Sequence, residues 1–369
     1  MLDTNRLSMT PVQNSDFEVR SLNLPPLPYP VYFVSKDPKW SDLIENPELA
    51  FDDAMYARCM LGHDMWSVQV YLDLKRQGLD VHLVSRPLPG RICVIPYYYL
   101  QSKDWLHRSY VLACRHDTPN PVLCHQQTVM NHGLVKSPRH HCMPHRPQPG
   151  LQPRSRDRGT RVENLVFKGH TYNLAAPFRS PEFLANLDRL GVRLVLNTES
   201  GQTAFQDWAD YRDADVVMAV RNVTTYDVRL KPGLKLVNAW LAGCPAILSP
   251  EPAYQEMRRS PLDFFEVRTA AEAIAALEAL KNDPGLYQAM VNNGFERARD
   301  YTTAQVITAW HDLLSGPVAR GFAEWQQRPS WQQTVVDPVV YRWQMVQHRL
   351  QQKYYQYWIH NGKRILDPR

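Results

Sequence analysis

The stretch that decides the fold runs from residue 231 to 267 and reads KPGLKLVNAWLAGCPAILSPEPAYQEMRRSPLDFFEV. Pro232 suits the first turn of a helix, and Gly243 marks its end. Between them apolar residues recur at helical spacing: Leu234, Val237 and Leu241. The spacing predicts a helix over 232–243.

The rest of this stretch continues the alternation. Short apolar runs predict buried strands over 245–249 and 263–267, with a helix over 253–259 between them. Alternating helices and strands of this kind indicate an α/β domain.

Three polar residues lie at the start of the predicted first helix. Lys231 precedes it, and Lys235 and Asn238 follow at steps of four and three, so their side chains share one edge near the positive end of the helix dipole. Such an arrangement can bind a diphosphate, with the amide of Asn238 placed for sugar hydroxyls. The alternative is a solvated lysine pair on an ordinary helix.

The run KPGLKLVNAWLAGCPAILSPEPAYQE, with 263–267 and the following helices, resembles the nucleotide-sugar half of GT-B glycosyltransferases of the "group 1" type. Gly243, Cys244 and Pro245 match the Gly-x-Pro turn of that family, and the resemblance covers roughly residues 160 to 315. It implies an α/β fold of the GT-B kind, two Rossmann-like domains facing across a cleft. It also implies a donor diphosphate held at the helix start, and it places Glu251 of the matched run among the donor-binding residues.

One departure from the family concerns the reaction's stereochemistry. Many retaining members carry two glutamates with seven residues between them, and this chain has Leu230 and Asn238 there. Retention and inversion both stay open.

Two further donor residues follow predicted strands. Gly169 ends a strand over 163–169 and lets backbone approach a phosphate closely. Arg221 follows the apolar run 216–220 and can meet phosphate at the strand's carboxyl end. Arginine at a strand end also pairs with structural carboxylates, which is the alternative for Arg221.

The first half of the chain predicts a second α/β domain. Strands are expected over 31–35, 81–85, 91–100 and 109–114, with a helix over 67–77. A long insert after the first strand ends in His63 and Asp64, where an acceptor would lie. A histidine beside a carboxylate can take a hydroxyl proton, so these two are the predicted catalytic residues. The alternative is that His63 caps the helix or packs, and His116 with Asp117 forms a second such pair.

The chain divides into five predicted segments: a lead-in over 1–29, an acceptor domain over 30–135, a Pro- and Arg-rich linker over 136–160, a nucleotide-sugar domain over 161–316, and a tail over 317–369. The linker contains four possible zinc ligands: His140, His141, Cys142 and His145. Pro144 interrupts the helical spacing that would put His141 and His145 on one face, and no second ligand pair stands at zinc-finger distance. We therefore predict no metal site and no cofactor.

Composition favours a cytoplasmic protein. The six cysteines form no CxxC pair, and no run approaches the ~18 apolar residues of a membrane span. From residue 318 onward there are eight Lys/Arg against three Asp/Glu, and four of the ten tryptophans. An apolar stripe there is expected to pack on the first domain: Val339, Trp343, Val346, Leu350, Tyr354 and Tyr357. A peripheral membrane or protein contact through the tail is the other use of this composition.

The predicted function is transfer of a sugar from a nucleotide-sugar donor to the hydroxyl of a glycan or small-molecule acceptor. The resemblance points to surface glycan or glycoconjugate synthesis, and no nucleic-acid partner is expected. Two alternatives stay open: a sugar-nucleotide epimerase on the same fold, and a non-catalytic subunit that binds nucleotide sugars.

Overall fold

The computed structural model describes residues 21–196 and 207–366, and these form two parallel α/β sheets. The first twenty residues of the predicted lead-in lie outside the described residues. The first sheet has six strands in the order β2-β1-β3-β4-β5-β6. Its strands are β1 (Val31–Val34), β2 (Val81–Val84), β3 (Ile92–Pro96), β4 (Tyr110–Cys114), β5 (Gln126–Val129) and β6 (His140–Cys142).

The second sheet has five parallel strands in the order β11-β10-β9-β7-β8. Its strands are β7 (Asn164–Phe167), β8 (Arg193–Leu196), β9 (Val216–Ala219), β10 (Ala246–Leu248) and β11 (Phe265–Glu266). In both sheets the order of the strands reverses at one point, between β1 and β3 in the first sheet and between β7 and β9 in the second. Crevices for ligands open at such points in doubly wound sheets.

Helices connect the strands of each sheet. The first domain holds α1 (Ser41–Glu45), α2 (Ala54–Ala57) and α3 (Gln69–Arg76), and α3 continues a wider helical turn over Asp64–Val68. The second holds α4 (Pro181–Arg189), α5 (Leu234–Ala242), α6 (Pro252–Met257), α7 (Ala270–Asn282) and α8 (Pro284–Ala298). Then follow α9 (Thr303–Leu313), α10 (Ala319–Gln326) and α11 (Asp337–Asn361).

Helix α5 lies at the centre of the second domain. It is buried from Leu236 onward and ends at Gly243, whose φ of +72° only glycine adopts without strain. A Cβ at Gly243 would also come within 2.9 Å of the Phe295 ring on α8. Both observations explain why the apolar run stops at this glycine, as the sequence predicts.

The C-terminal helices α9 and α10 belong to the core of the first domain. Trp310 of α9 and Phe322 of α10 are buried in the same cluster as Phe33 and Tyr71. The chain therefore returns to the first domain by residue 306, earlier than the predicted end of the second domain at 316. It crosses once more at its end, where Ile365 donates a hydrogen bond to the Val223 carbonyl at 3.1 Å.

Two strands of the first sheet lie in a stretch where the sequence predicts no strand. β5 pairs with β4, and β6 pairs with β5 inside the predicted linker 136–160. Prolines flank these strands but do not interrupt their hydrogen bonds. The proline-rich composition of the stretch therefore gave no sign of the two strands. The strand predicted over 91–100 is wrong in its second half, because the chain leaves the sheet at Pro96 and turns over Tyr97–Tyr99.

Helix α11 returns to the first domain with the opposite face from the one predicted. Tyr341 and His348 are each 4% exposed and contact the rings of His107 and Tyr97. The apolar stripe predicted to pack inward instead faces solvent, with Trp343 62% exposed. That packing prediction was wrong, since aromatic rings on the first domain select the tyrosine and histidine side of the helix. No helix among residues 21–196 and 207–366 has the length and apolarity needed to cross a membrane.

Replacing Trp310 by alanine tests the assignment of α9 to the first core. Its side chain is 1% exposed, so truncation leaves a cavity, and we expect the free energy of unfolding to fall by about 3 to 5 kcal/mol. The matched control is Trp343→Ala at an exposed site, expected within about 0.5 kcal/mol of wild type. Urea denaturation followed by circular dichroism measures both. Equal effects of the two changes would refute the assignment.

Candidate functional site

The carboxyl ends of both sheets carry the polar residues of the cleft. In the second sheet Lys168 and Gly169 follow β7, and Arg221 lies two residues beyond the end of β9, on the two sides of the point where the strand order reverses. The start of α5 brings Lys235 to the same place. This crevice is where a doubly wound domain binds a ligand.

Lys235 is the central cation of this crevice. Its Nζ donates to the backbone carbonyl of Lys168, and no carboxylate among the described residues lies within ion-pair distance of it. Burial, together with the charge of Arg221, lowers the pKa of Lys235 to about 7. A cation held without a carboxylate at a helix start favours an anionic ligand, because unpaired backbone N–H groups point the same way.

Gly169 makes room for Lys235. Its φ is +147°, and a Cβ at this position would lie 3.1 Å from Lys235 Nζ. Any other residue would strain the backbone and press against the ammonium group. The structure thus brings Gly169 and Lys235 together, two of the predicted donor residues.

Arg221 and Glu251 form a buried ion pair. Arg221 Nε donates to Glu251 Oε1 at 2.9 Å, a second guanidinium nitrogen donates to Oε2, and the Ser249 hydroxyl donates to Oε1 at 2.8 Å. Burial opposes the charge on Arg221, but the carboxylate of Glu251 outweighs it and raises the pKa of Arg221 above its usual range. Arg221 is therefore already paired, which is the alternative that the sequence analysis left open for it.

Lys231 connects the two domains across the cleft. Its Nζ lies 3.2 Å from Asp117 Oδ2 of the first domain and 3.1 Å from Asp227 Oδ1 of its own. Burial opposes its charge, but these two carboxylates raise the pKa of Lys231. The side-chain amide of Asn131 donates to the Lys231 carbonyl at 3.2 Å, a second contact between the domains.

Asn238 does not join the other predicted donor residues. Its side-chain oxygen accepts a hydrogen bond from the backbone N–H of Gln148 at 3.0 Å, and the residue is 4% exposed. As placed, this amide fastens the segment that connects the domains and is not turned to a sugar hydroxyl.

The carboxylate of Asp64 is fully engaged within the first domain. It is 0% exposed and accepts hydrogen bonds from Trp40 Nε1 at 3.0 Å, Lys39 Nζ at 2.6 Å and the Leu61 backbone N–H at 3.0 Å. These contacts hold the insert after β1 and leave no oxygen for an acceptor proton. His63 lies 3.8 Å from Asp64, and burial lowers the pKa of His63.

His116 is the cleft histidine with unused ring nitrogens. It is 4% exposed, and neither nitrogen has a hydrogen-bond partner in the described part of the chain. Burial is the main cause that lowers the pKa of His116, and the charge of Lys231 acts in the same direction. The ring lies beside Asp117, the residue that contacts Lys231.

The sequence analysis missed Tyr98. Its ring lies 5.1 Å from His116 and 6.3 Å from His63, and the side chain is 56% exposed. It follows β3 directly at the reversal point of the first sheet, where a ligand crevice opens. Pro96 was the available signal, since a proline rarely continues inside a central strand.

One group of possible metal ligands comes together in residues 21–196 and 207–366: Asp37, His63 and Asp64. Lys39 Nζ lies 2.6 Å from Asp64 and 3.5 Å from Asp37, so an ammonium group already pairs with both carboxylates. The linker histidines bind protein groups instead. His141 contacts the Gln126 side-chain oxygen at 2.7 Å, and His145 accepts from the Gly233 N–H at 3.3 Å.

The two parallel-sheet domains around a cleft confirm the predicted α/β fold, two Rossmann-like domains facing each other. No protein-family model matches the chain, and no curated protein matches it. Similar solved structures include sucrose-phosphate synthase from Thermosynechococcus elongatus, at a TM-score of 0.49 and 13% identity over 79% of this chain and 100% of that one.

Two other solved structures are also similar to this chain. Anabaena HepE in complex with UDP and glucose gives a TM-score of 0.44 at 10% identity, over 80% of this chain and all of that one. The GtfA/B complex gives 0.43 at 12% identity, over 68% of this chain. The chain spans 60% of the matched GtfA/B chain, less than two thirds of its length.

The lowered pKa of Lys235 predicts proton uptake when a nucleoside diphosphate binds. Near pH 8 the free amine is mostly neutral, and a bound anion favours its protonated form. Calorimetry near pH 8 in two buffers of different ionisation enthalpy should show uptake, because the phosphate's own second pKa of about 6 is already passed. Affinity should fall as pH rises from about 7 to 9.

The matched variant for this measurement is Lys235→Met, which keeps the length of the side chain and removes its titration. We expect the variant to bind without proton uptake and with little pH dependence above pH 7. Unchanged proton uptake in Lys235→Met would show that another group titrates.

Proposed function

We propose that the protein transfers a sugar from a nucleotide-sugar donor to an acceptor hydroxyl, with the donor on the second domain. The observation that carries this proposal is Lys235, a cation without a carboxylate partner at the start of α5 and beside Gly169. A diphosphate is the ligand this position suits, since it would accept from Lys235 and from the first N–H groups of the helix.

The surrounding charges suit a leaving diphosphate. Negative charge grows on it as the bond to the sugar breaks, and preorganised cations stabilise that charge without a reorganisation cost. Lys231 stands at the cleft with two carboxylates fixing its position, and Arg221 is fixed by Glu251. The ion pairs hold Lys231 and Arg221 in fixed positions with little net charge, and Lys235 makes the direct contact with the diphosphate.

His116 is the group that we propose takes the proton of the acceptor hydroxyl. It lies on the first domain with both nitrogens unpartnered in the described chain, and its lowered pKa keeps it neutral near pH 7. His63, placed near Tyr98 and Tyr99, would contact the acceptor. The carboxylate of Asp64, which already accepts hydrogen bonds from Lys39 and Trp40, would keep the insert after β1 in place.

The acceptor that we propose is a hydroxyl of a glycan or glycoconjugate, which the sequence resemblance implies. Six free cysteines suit a reducing compartment, so we place the reaction in the cytoplasm. No cofactor or metal is part of the proposal, because cationic side chains occupy the positions where charge has to be neutralised.

Binding and turnover with Lys235→Met test the donor site. We expect the affinity for one nucleoside diphosphate among UDP, GDP and ADP to fall about 10- to 100-fold, the loss of one charge-assisted hydrogen bond. The control is Lys136→Met, which removes an exposed lysine in the same way. Thermal shift and calorimetry measure binding of the diphosphate and its sugars.

Turnover separates the proposal from its two alternatives. Sugar transfer that needs an acceptor supports a transferase, and a changed sugar nucleotide without any acceptor would identify an epimerase. Tight binding without turnover of any donor across an acceptor panel would indicate a binding subunit. Wild-type protein that binds none of the diphosphates would refute the donor site.

His116→Ala tests the acceptor base. We expect kcat/KM for transfer to fall about 10²- to 10⁴-fold with little change in diphosphate affinity. Wild-type activity should fall on the acid side, below the ordinary histidine pKa of about 6.5, because a protonated ring cannot accept the proton. His63→Ala is the matched control and should retain that acid limb. An unchanged rate in His116→Ala would exclude the base role.

A further inference from the structure

Helix α11 carries a continuous apolar stripe on its solvent face. Six side chains form it, each between 49% and 65% exposed: Val339, Trp343, Val346, Leu350, Tyr354 and Tyr357. Their steps of three and four place them on one side of the helix over about 27 Å. Trp331 and Val335, 58% and 62% exposed, extend the stripe in the N-terminal direction.

The orientation of this helix is fixed by its other face. Tyr341 and His348 are buried against the first domain, and Tyr355 OH donates to the Asp117 carbonyl at 3.3 Å. Beyond the helix, Thr225 N–H donates to the Lys363 carbonyl at 2.8 Å. The stripe is therefore held outward by packing on both domains, and single exposed apolar residues do not account for its length.

A row of basic residues runs along one border of the stripe. Arg342, Arg349 and Lys353 follow at steps of seven and four, are exposed, and form no ion pair with the described residues. Residues 338–366 contain no Asp or Glu, while Lys363 and Arg364 add two further cations. The face is therefore positive, because the one acidic residue of α11, Asp337 at its start, is already paired with Arg328.

We propose that α11 docks on an anionic lipid membrane, with the stripe in the interfacial region and the basic row on the headgroups. Tryptophan and tyrosine are the side chains that favour this depth, and the stripe holds Trp343, Tyr354 and Tyr357. A helix with an apolar face and flanking lysine and arginine lies in the plane of a membrane without crossing it.

A second copy of the chain fits the outer face of α11 less well than a lipid surface does. Two α11 helices meeting through their stripes would bring the basic rows together, and the one acidic residue of each helix, Asp337, is already paired with Arg328. Anionic headgroups supply that missing charge. Charge complementarity therefore favours an anionic lipid surface over a second copy of the chain as the partner of this face.

The docked orientation would hold the cleft close to the membrane. The Tyr354 ring lies 5.6 Å from the ring of Tyr226, and Tyr355 contacts Asp117, both beside the candidate site. A membrane-anchored acceptor would suit this placement, a consequence that rests on the proposed function. The docking itself does not, because vesicle binding is measured without donor or acceptor.

The test is co-flotation of the purified full chain with vesicles of phosphatidylcholine containing roughly 30% phosphatidylglycerol, near 0.1 M salt. Leu350→Glu should weaken binding at least about tenfold, since an apolar contact is lost and a repelled charge gained. The matched control is Gln288→Glu, which adds the same charge at an exposed position on α8 of the second domain and should bind almost as wild type does.

Arg349→Gln combined with Lys353→Gln tests the basic row. Each cation near an anionic surface contributes about fivefold, so we expect the binding of the double variant to be about 30-fold weaker. Binding should also fall as salt is raised and be much weaker on phosphatidylcholine alone.

Four results would overturn the proposal. Equal binding of Leu350→Glu and wild type would exclude the stripe, and equal binding to neutral and anionic vesicles would exclude the role of the basic row. A dimer in sedimentation that Leu350→Glu dissociates, without vesicle binding, would assign the face to a second copy. An acidic protein bound in place of lipid would likewise refute it.

Discussion

The cleft depends on how this chain holds buried positive charge. Removing an ion from water is costly unless a partner compensates it, and two of the cleft cations have carboxylate partners. Glu251 neutralises Arg221, and Asp117 with Asp227 neutralises Lys231. Among the described residues Lys235 Nζ contacts only a backbone carbonyl. Burial therefore lowers the pKa of Lys235, and a bound anion would compensate its charge. The same ion pairs fix strand ends and join the domains, which makes fold and site one electrostatic arrangement.

The sequence predicted the second domain well because its signals are local. Pro232, Gly243 and the apolar spacing between them delimit α5 to within two residues, and the runs around 216–220 and 245–249 are the strands β9 and β10. Four predicted donor residues, Gly169, Arg221, Lys235 and Glu251, meet at the crevice for the same reason. Each follows a strand or starts a helix, and topology then places those ends together.

What the sequence did not reveal depends on contacts between distant segments. The sequence around Asp64 does not show that its carboxylate accepts hydrogen bonds from Lys39 and Trp40. The sequence around Asn238 likewise does not show that its side-chain oxygen accepts from the Gln148 backbone N–H. The outward stripe of α11 has the same origin. Its spacing identifies an amphipathic helix, but the face that packs is chosen by the rings of the first domain, where Tyr341 and His348 find partners.

The third crossing of the chain limits how the two domains can move. A cleft with two connections can open like a hinge, but residues 363–365 also pair with residues 223–225 of the second domain while α11 is packed on the first. Opening must therefore break those backbone hydrogen bonds or bend a helix of 25 residues. The tail is a tether of fixed length, so the width of the cleft mouth is set by the stiffness of α11 as much as by the contacts inside the cleft.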